Sequence, residues 1–330
     1  MGQGPETAAL PLIATMIGDP AGIGPEVCVK AIASGELEGL CTPVLIGDMG
    51  VLRRAAEVTG VTWTLQQIQS VDDRMAEKNI VRVIDPGGFD VSACPFGVSS
   101  AAAGQAVLNW MEIGTELGAR GHIQGLVIGP IHSESLKLNG RITDIDALQP
   151  PGTFMLRMSG ALRVVPLTEH LRLVSAVEKV TPQAVLALVV LLNETLIKWG
   201  LAQPRIAVAG INPHAMFPED REQISPAIEQ AQQRGIDVRG PISPDSVFRM
   251  ALENKYDAVV TMYHDQGQIA VKTAAFEGAC TVYLGLPYIM LNVPHGSAFD
   301  IAGTGTAQHK SVLAAMKTAA QLSSGDGIFA

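Results

Sequence analysis

Leu12-Ile-Ala-Thr-Met-Ile-Gly-Asp-Pro-Ala-Gly-Ile-Gly-Pro-Glu26 reads as a strand, a tight turn and the first turn of a helix. The apolar run Leu12–Ile17 predicts a buried strand. Gly22 and Gly24 let the backbone turn tightly and approach a ligand, and Pro25 suits the first turn of the helix that follows. The same turn serves equally as a plain strand-to-helix connector, and it lacks the Gly-x-Gly-x-x-Gly spacing of a dinucleotide fingerprint. Outward from this unit the alternation repeats. Further β-rich runs are Val44–Gly47, Val81–Ile84, Leu126–Ile131, Leu171–Ala176, Ile206–Gly210, Ala258–Met262 and Thr281–Leu284. Helical stretches are Pro25–Ala33, Ala101–Leu117, Pro182–Trp199 and Ile224–Arg234. Strands alternating with helices predict an α/β fold with a largely parallel sheet. Seams at Gly129-Pro130 and within Gly285–Pro294 divide the chain into a lobe of residues 1–129 plus 288–330 and a lobe of residues 130–287.

Composition narrows the function. The 330 residues are 47% hydrophobic and 17% charged, enough for one large or two medium domains with a sizeable core. A formal charge of -9, with Lys and Arg scattered among acids, provides no phosphate-tracking stripe and argues against a nucleic-acid partner. Cys28, Cys41, Cys94 and Cys280 lie far apart without a Cys-x-x-Cys pair, so they read as reduced, mostly buried thiols. The longest apolar run, Ala184–Leu192, is far shorter than the ~20 residues of a membrane span. Met1–Pro11 has no basic region leading into an apolar stretch. The expectation is a soluble, cytoplasmic protein that acts on a small molecule.

Three separated histidines carry the chemistry: His170 in Leu-Thr-Glu-His, His214 in Gly-Ile-Asn-Pro-His-Ala and His264 in Met-Tyr-His-Asp-Gln-Gly. Each adjoins a β-branched or apolar run, so each is expected at the end of a buried strand, where three imidazoles can converge on one divalent ion. Downstream, His295-Gly-Ser-Ala-Phe-Asp-Ile-Ala-Gly303 has the character of a nucleotide-binding loop. Metal plus dinucleotide points to an alcohol dehydrogenase chemistry.

Taken together, Ile17–Glu26, Gly210–Ala215, Gly240–Phe248, Met262–Gly267, Lys272, Leu284–Pro287 and His295–Gly303 resemble the 4-hydroxythreonine-4-phosphate dehydrogenase family, the pyridoxine biosynthesis branch of the isocitrate and isopropylmalate dehydrogenase-like fold. The resemblance runs in order over nearly the whole chain. It implies a two-lobed α/β/α enzyme and a homodimer whose active site lies between the lobes and borrows a metal ligand from the partner subunit. It places the metal ligands on His170, His214 and His264, with zinc, cobalt and magnesium all open. It places Asp245 and Asp265 near that site, where a carboxylate orients a ligand ring; a helix N-cap is the rival reading of each. Lys272 matches a substrate-contacting lysine that holds an anionic group or assists proton transfer. The stretch with His295, Gly296, Ser297, Ala298, Asp300 and Ile301 looks like an adenosine-binding loop. NAD is favoured there, with NADP not excluded, because no arginine cluster accompanies the loop.

The departures bear on substrate. Where the family carries an asparagine and an arginine that hold its phosphorylated acid, this chain has Thr281 and Met290, and a Gly-His-Thr stretch is missing between His132 and His170. Each lost charge-assisted contact removes roughly 1.5–3 kcal/mol, although Arg141 or Arg157 could supply replacements. The expected reaction is metal-assisted oxidation of a secondary alcohol of a hydroxy acid, hydride transfer to nicotinamide, and β-decarboxylation where a carboxylate is suitably placed. An alternative is a cis-dihydrodiol carboxylate dehydrogenase of the terephthalate dihydrodiol type. A further alternative is a non-catalytic, metal-binding regulatory protein.

Overall fold

A computed structural model of the chain describes residues 9–71, 80–142, 145–274 and 280–325. These form two compact units, one of residues 9–142 with 287–324 and one of residues 145–286. In the first unit the elements are β1 (Leu12–Met16), α1 (Gly24–Ala33), β2 (Thr42–Ile46), α2 (Met49–Thr59), β3 (Thr64–Gln67), β4 (Ile80–Ile84), α3 (Ala101–Ala119), β5 (Gly125–Ile128) and α4 (Ser133–Asn139). The second unit contributes β6 (Phe154–Ser159), β7 (Leu162–Pro166), α5 (Leu173–Lys179), α6 (Pro182–Lys198), β8 (Ile206–Ala209), α7 (Ser225–Gln233), β9 (Val238–Ile242), α8 (Val247–Leu252), β10 (Ala258–Thr261), α9 (His264–Ala274) and β11 (Cys280–Leu284). The chain then returns to the first unit with β12 (Ile289–Asn292) and α10 (Lys310–Ser324).

In the first unit the strands run β3-β4-β2-β1-β5-β12, every pair parallel. A Cβ on Gly125 would meet Ile13 and Ala319 of α10, whereas Gly114 of α3 abuts Leu126. Neighbouring residues of a strand point to opposite faces, so α10 and α3 cover opposite sides of this sheet. Pro25 sits in the first turn of α1, as its fixed φ suits.

The second unit orders its strands β11-β6-β7-β10-β8-β9, with β11, β6 and β7 antiparallel and β7, β10, β8 and β9 parallel. Val164, Ala207, Ala209 and Val259 form one core layer with Val247 and Ala251 of α8 and Val271 of α9. On β8, Val208 points the other way, where it and Ile228 of α7 enclose Gly240. Both units are therefore three-layer α/β/α sandwiches.

Two readings of the sequence change. Leu171–Ala176 is not a strand: the run Leu162–Pro166 takes that place, and Leu173–Lys179 is helical with only Ala176 buried. The first seam does not fall at Gly129-Pro130, because α4 packs tightly on α3. Gly104 approaches the Ser135 carbonyl so closely that a Cβ would lie 2.1 Å from it, and Asn139 Nδ2 donates to Gln105 Oε1 at 3.0 Å. All four cysteines are buried. Among the described residues no single helix is long and apolar enough to cross a membrane. The apolar run in α6 is a core stripe, with Val185, Leu188, Val189 and Leu192 fully buried.

Candidate active site

The histidines follow three strands that are neighbours in the sheet. His170 comes after β7, His264 after β10 and His214 after β8, and these strands are parallel in the order β7-β10-β8. All three histidines thus stand beyond carboxyl ends of adjacent parallel strands, where open α/β sheets bind ligands. The His170 and His264 rings lie 4.7 Å apart, centroid to centroid. His264 Nδ1 is 2.7 Å from Asp265 Oδ1; a proton on Nδ1 donated to that carboxylate leaves Nε2 free to ligate. His214 occupies a left-handed backbone position, φ 57°, in the turn after β8. Among the described residues no group of three or more His, Cys, Asp and Glu side chains is gathered as a metal-holding cluster. One chain presents a side-by-side imidazole pair with His214 outside it, which fits part of a metal site.

Hydrogen bonds tie these loops together from beneath. Leu167 N–H donates to the Thr261 carbonyl at 2.7 Å, and Thr168 Oγ1 donates to the Met262 carbonyl at 3.0 Å, joining the β7 and β10 ends. Met262 N–H donates to Gln266 Oε1 at 2.8 Å, while Gln266 Nε2 donates to the Gly210 carbonyl at 2.7 Å, joining the β10 and β8 ends. The fully buried Asp220 accepts from Ile211 N–H at 2.8 Å and from the Asn212 amide at 3.1 Å, fixing the turn that presents His214. The sequence reading missed Gln266 and Asp220. For Gln266 the only signal was a polar side chain in the first turn after an apolar strand; Asp220, eleven residues beyond β8, carried none.

Asp265 is 74% exposed and sits in the first turn of α9, where it meets His264. Asp245 is not the N-cap of α8; Ser246 is, without a side-chain cap bond. Asp245 Oδ1 instead accepts from the Ser243 and Ser246 hydroxyls at 2.7 and 2.9 Å. Those two bonds hold its carboxyl below the usual range, and nearby His214 lowers it further. Lys272 is exposed near the end of α9. Eight residues of helix carry it about 12 Å along the axis from His264. Thr281 is half-buried on β11, paired in register with Arg157 of β6. Arg157 is no free anchor: its guanidinium is bound in bidentate fashion by Glu169, at 2.7 Å for both bonds. Arg141 pairs with Glu112 on the surface.

The first unit has its own carboxyl-end cluster, built from the loops after β1, β5 and β12, which are neighbours in the order β1-β5-β12. Here the 295–303 segment is fastened to the 17–26 turn. Ile23 N–H donates to the Ser297 carbonyl at 2.9 Å, and a Cβ on Gly22 would lie 2.7 Å from Ser297 Cβ. Glu26 Oε1 accepts from Ala307 N–H and from Lys30 Nζ, each at 2.8 Å, and Lys30 Nζ also donates to the Gly305 and Ala307 carbonyls. His132 packs edge-on against Phe299, centroids 3.9 Å apart. Ser297 is buried, His295, Ala298 and Ile301 are half-buried, and Gly296 and Asp300 are exposed, with no neighbour within 4 Å of a Cβ placed on Gly296. Ala298 has φ 39°. Met290 has no exposed surface: it lies in β12 with its sulfur 3.9 Å from the Tyr288 hydroxyl, so in this conformation it is a core residue and not a substrate contact.

Two α/β units, each with candidate ligand loops beyond the carboxyl ends of parallel strands, define a two-domain α/β protein. A family model described as "Pyridoxal phosphate biosynthetic protein PdxA" matches residues 39–319. The chain belongs to the PdxA family. It is 43% identical over 96% of both chains to the "Putative 4-hydroxythreonine-4-phosphate dehydrogenase" of Novosphingobium aromaticivorans. It is 36% identical, over 95% of its own length and 97% of the relative's, to a "Putative D-threonate 4-phosphate dehydrogenase" of Clostridium botulinum (strain Langeland / NCTC 10281 / Type F). Among solved structures, a 4-hydroxythreonine-4-phosphate dehydrogenase from Burkholderia phymatum superimposes with a TM-score of 0.84 at 35% identity, covering 95% of this chain and 98% of that one. Relatives of this length are named dehydrogenases, which sets the chain among the oxidoreductases.

Proposed function

We propose that this chain is a cytoplasmic, NAD-dependent and divalent-metal-dependent dehydrogenase that oxidises the secondary alcohol of a phosphorylated hydroxy acid, with β-decarboxylation following where the acid allows it. The observation that carries the reading is the placement of His170, His264 and His214 beyond the carboxyl ends of adjacent parallel strands β7, β10 and β8. His170 and His264, with His214, would hold the ion, and a second copy of the chain would complete the set in a homodimer with a shared site. When bound, a divalent ion acidifies a coordinated hydroxyl and polarises a carbonyl. Asp265 fixes the orientation and tautomer of His264. Asp245, held ionised by its two hydroxyl donors, is an acceptor near His214. Lys272 supplies a cation for an anionic substrate group. The 295–303 backbone would approach the adenosine, with small residues Gly296 and Ala298 admitting it.

The relatives' names support a phosphorylated four-carbon acid, and the altered position Thr281 favours one other than 4-hydroxythreonine 4-phosphate. NAD reduction is to be followed with that compound, 4-phosphothreonate, 4-phosphoerythronate and carboxylated cis-dihydrodiols, before and after chelation. We expect turnover of a phosphorylated hydroxy acid that chelation abolishes and a divalent ion restores. Full activity after thorough demetallation overturns the metal assignment. Efficient use of 4-hydroxythreonine 4-phosphate, near about 10⁴ M⁻¹s⁻¹, overturns the altered-substrate reading. Turnover of the dihydrodiols alone replaces it with the aromatic-degradation alternative.

A further inference from the structure

The Arg157–Glu169 pair has no part in the chemistry above, yet it adjoins the residue that presents His170. Arg157 projects from β6 and is 8% exposed; Glu169 is 16% exposed. Both carboxylate oxygens are engaged, Oε1 by Arg157 Nη1 and Oε2 by Nη2, each at 2.7 Å, and Nη1 also donates to the Met155 carbonyl at 3.0 Å. With both oxygens occupied, Glu169 is ill-suited as a general base or a metal ligand. A bidentate fork fixes direction as well as distance, so the Glu169 side chain is pinned to β6. Its backbone is constrained too. Leu171 N–H donates to the Glu169 carbonyl at 2.7 Å, closing a three-residue turn with His170 at its apex. On the other side, Thr168 is held to Met262, two residues before His264. The exposed His170 is thus carried on a turn fixed at Glu169 to β6 and at Thr168 to the β10 end.

We propose that the Arg157–Glu169 pair is a positioning device that holds the His170 turn so that its imidazole stays beside that of His264. This rests on the reading of His170 and His264 as metal ligands. Without the fork, the side chain of Glu169 is free to swing, the turn gains conformations, and the two rings are no longer preorganised. A purely structural ion pair would change stability and leave metal affinity alone.

The test uses the full-length protein stripped of metal and reloaded with Co²⁺, reading the visible spectrum, the dissociation constant by competition with a chelating dye, and thermal unfolding. The variants are Glu169→Gln, which keeps shape but loses charge, and Arg157→Lys, which keeps charge but loses the fork. Both should weaken Co²⁺ binding by about 10- to 100-fold, the range usual for residues that orient a ligand, and should alter the Co²⁺ spectrum. The exchanged pair Arg157→Glu with Glu169→Arg should recover part of the loss. Where Glu169→Gln does not fold, Arg157→Lys decides. Unchanged affinity and spectrum in a folded variant overturn the positioning role while leaving the proposed function intact. Absence of Co²⁺ binding by the unmodified protein overturns the metal reading and this inference together.

Discussion

Both units place candidate ligand loops at the carboxyl ends of three adjacent parallel strands, but they finish those loops differently. In the first unit the 295–307 segment is fastened by the chain itself: to Ile23 through Ser297, and to the buried Glu26 and Lys30 through Gly305 and Ala307. In the second unit the loop bases are well tied, yet His170 and His214 are exposed. Each histidine is also followed by exposed apolar side chains: Leu173 and Val174 at 58% and 65%, Met216 and Phe217 at 51% and 47%, and Ile269 at 66%. Exposed apolar groups mark a surface that another molecule covers when they form one contiguous patch. The difference teaches that one region is closed by intramolecular bonds, whereas the other leaves apolar side chains uncovered, as the proposed homodimer requires.

That contrast breaks most visibly if the exposed apolar groups are charged. Val174→Glu with Ile269→Glu should convert the proposed dimer to monomers in sedimentation and lower turnover by about 30-fold or more, since a central hot-spot contact costs about 2 kcal/mol or more when truncated. NAD binding, which we propose for the other unit, should stay near that of the unmodified protein. Retained dimer and turnover would show that the histidine region is complete in one chain.

A smaller effect sharpens the other side. Gly22→Ala places a Cβ 2.7 Å from Ser297 Cβ and 2.8 Å from its carbonyl oxygen, so the 295–303 loop must shift. We expect the apparent KM for NAD to rise about tenfold, a loss of about 1.4 kcal/mol, with metal content unchanged. An unaltered NAD titration in the folded variant would detach this loop from dinucleotide binding.

The smallest effect concerns stability. Asp19, fully buried in the turn after β1, has its carboxyl pushed above the usual range by burial, against opposing contributions from Ser135, the Ala21 amide and His132. The folded state therefore binds this proton more tightly than the unfolded state, and the stability it contributes is lost as pH rises from the unfolded value through the folded one. Asp19→Asn, still able to accept from Ala21, should show a flatter decline of Tm above about pH 4 than the unmodified protein. Parallel Tm curves for the two proteins would refute that linkage.

Much of this architecture was legible in the chain. The runs Leu12–Ile17, Ile206–Gly210 and Ala258–Met262 are apolar enough to be strands wherever they are placed, and Pro25 marks a helix start because it needs no N–H there. Leu171–Ala176 was misread because its apolar residues suit either a strand or a short helix; the neighbouring run Leu162–Pro166, paired with β6 and β10, decided the matter. Met290 stands in a stretch that suggests a substrate contact, but whether a strand residue faces solvent or core depends on what packs against it. Asp245, Gln266 and Asp220 are ordinary polar residues in sequence; only the folded loops give them the partners that define their roles.

The sequence by itself determined the alternation of elements, the residue types at the strand ends and the family resemblance, because these depend on local periodicity and short motifs. Tertiary structure alone decided that β7, β10 and β8 are neighbours, that His170 lies against His264, and that Arg157 is held by Glu169 and so is not open to substrate. Those facts depend on strand order and on contacts between distant residues, and no local pattern encodes them.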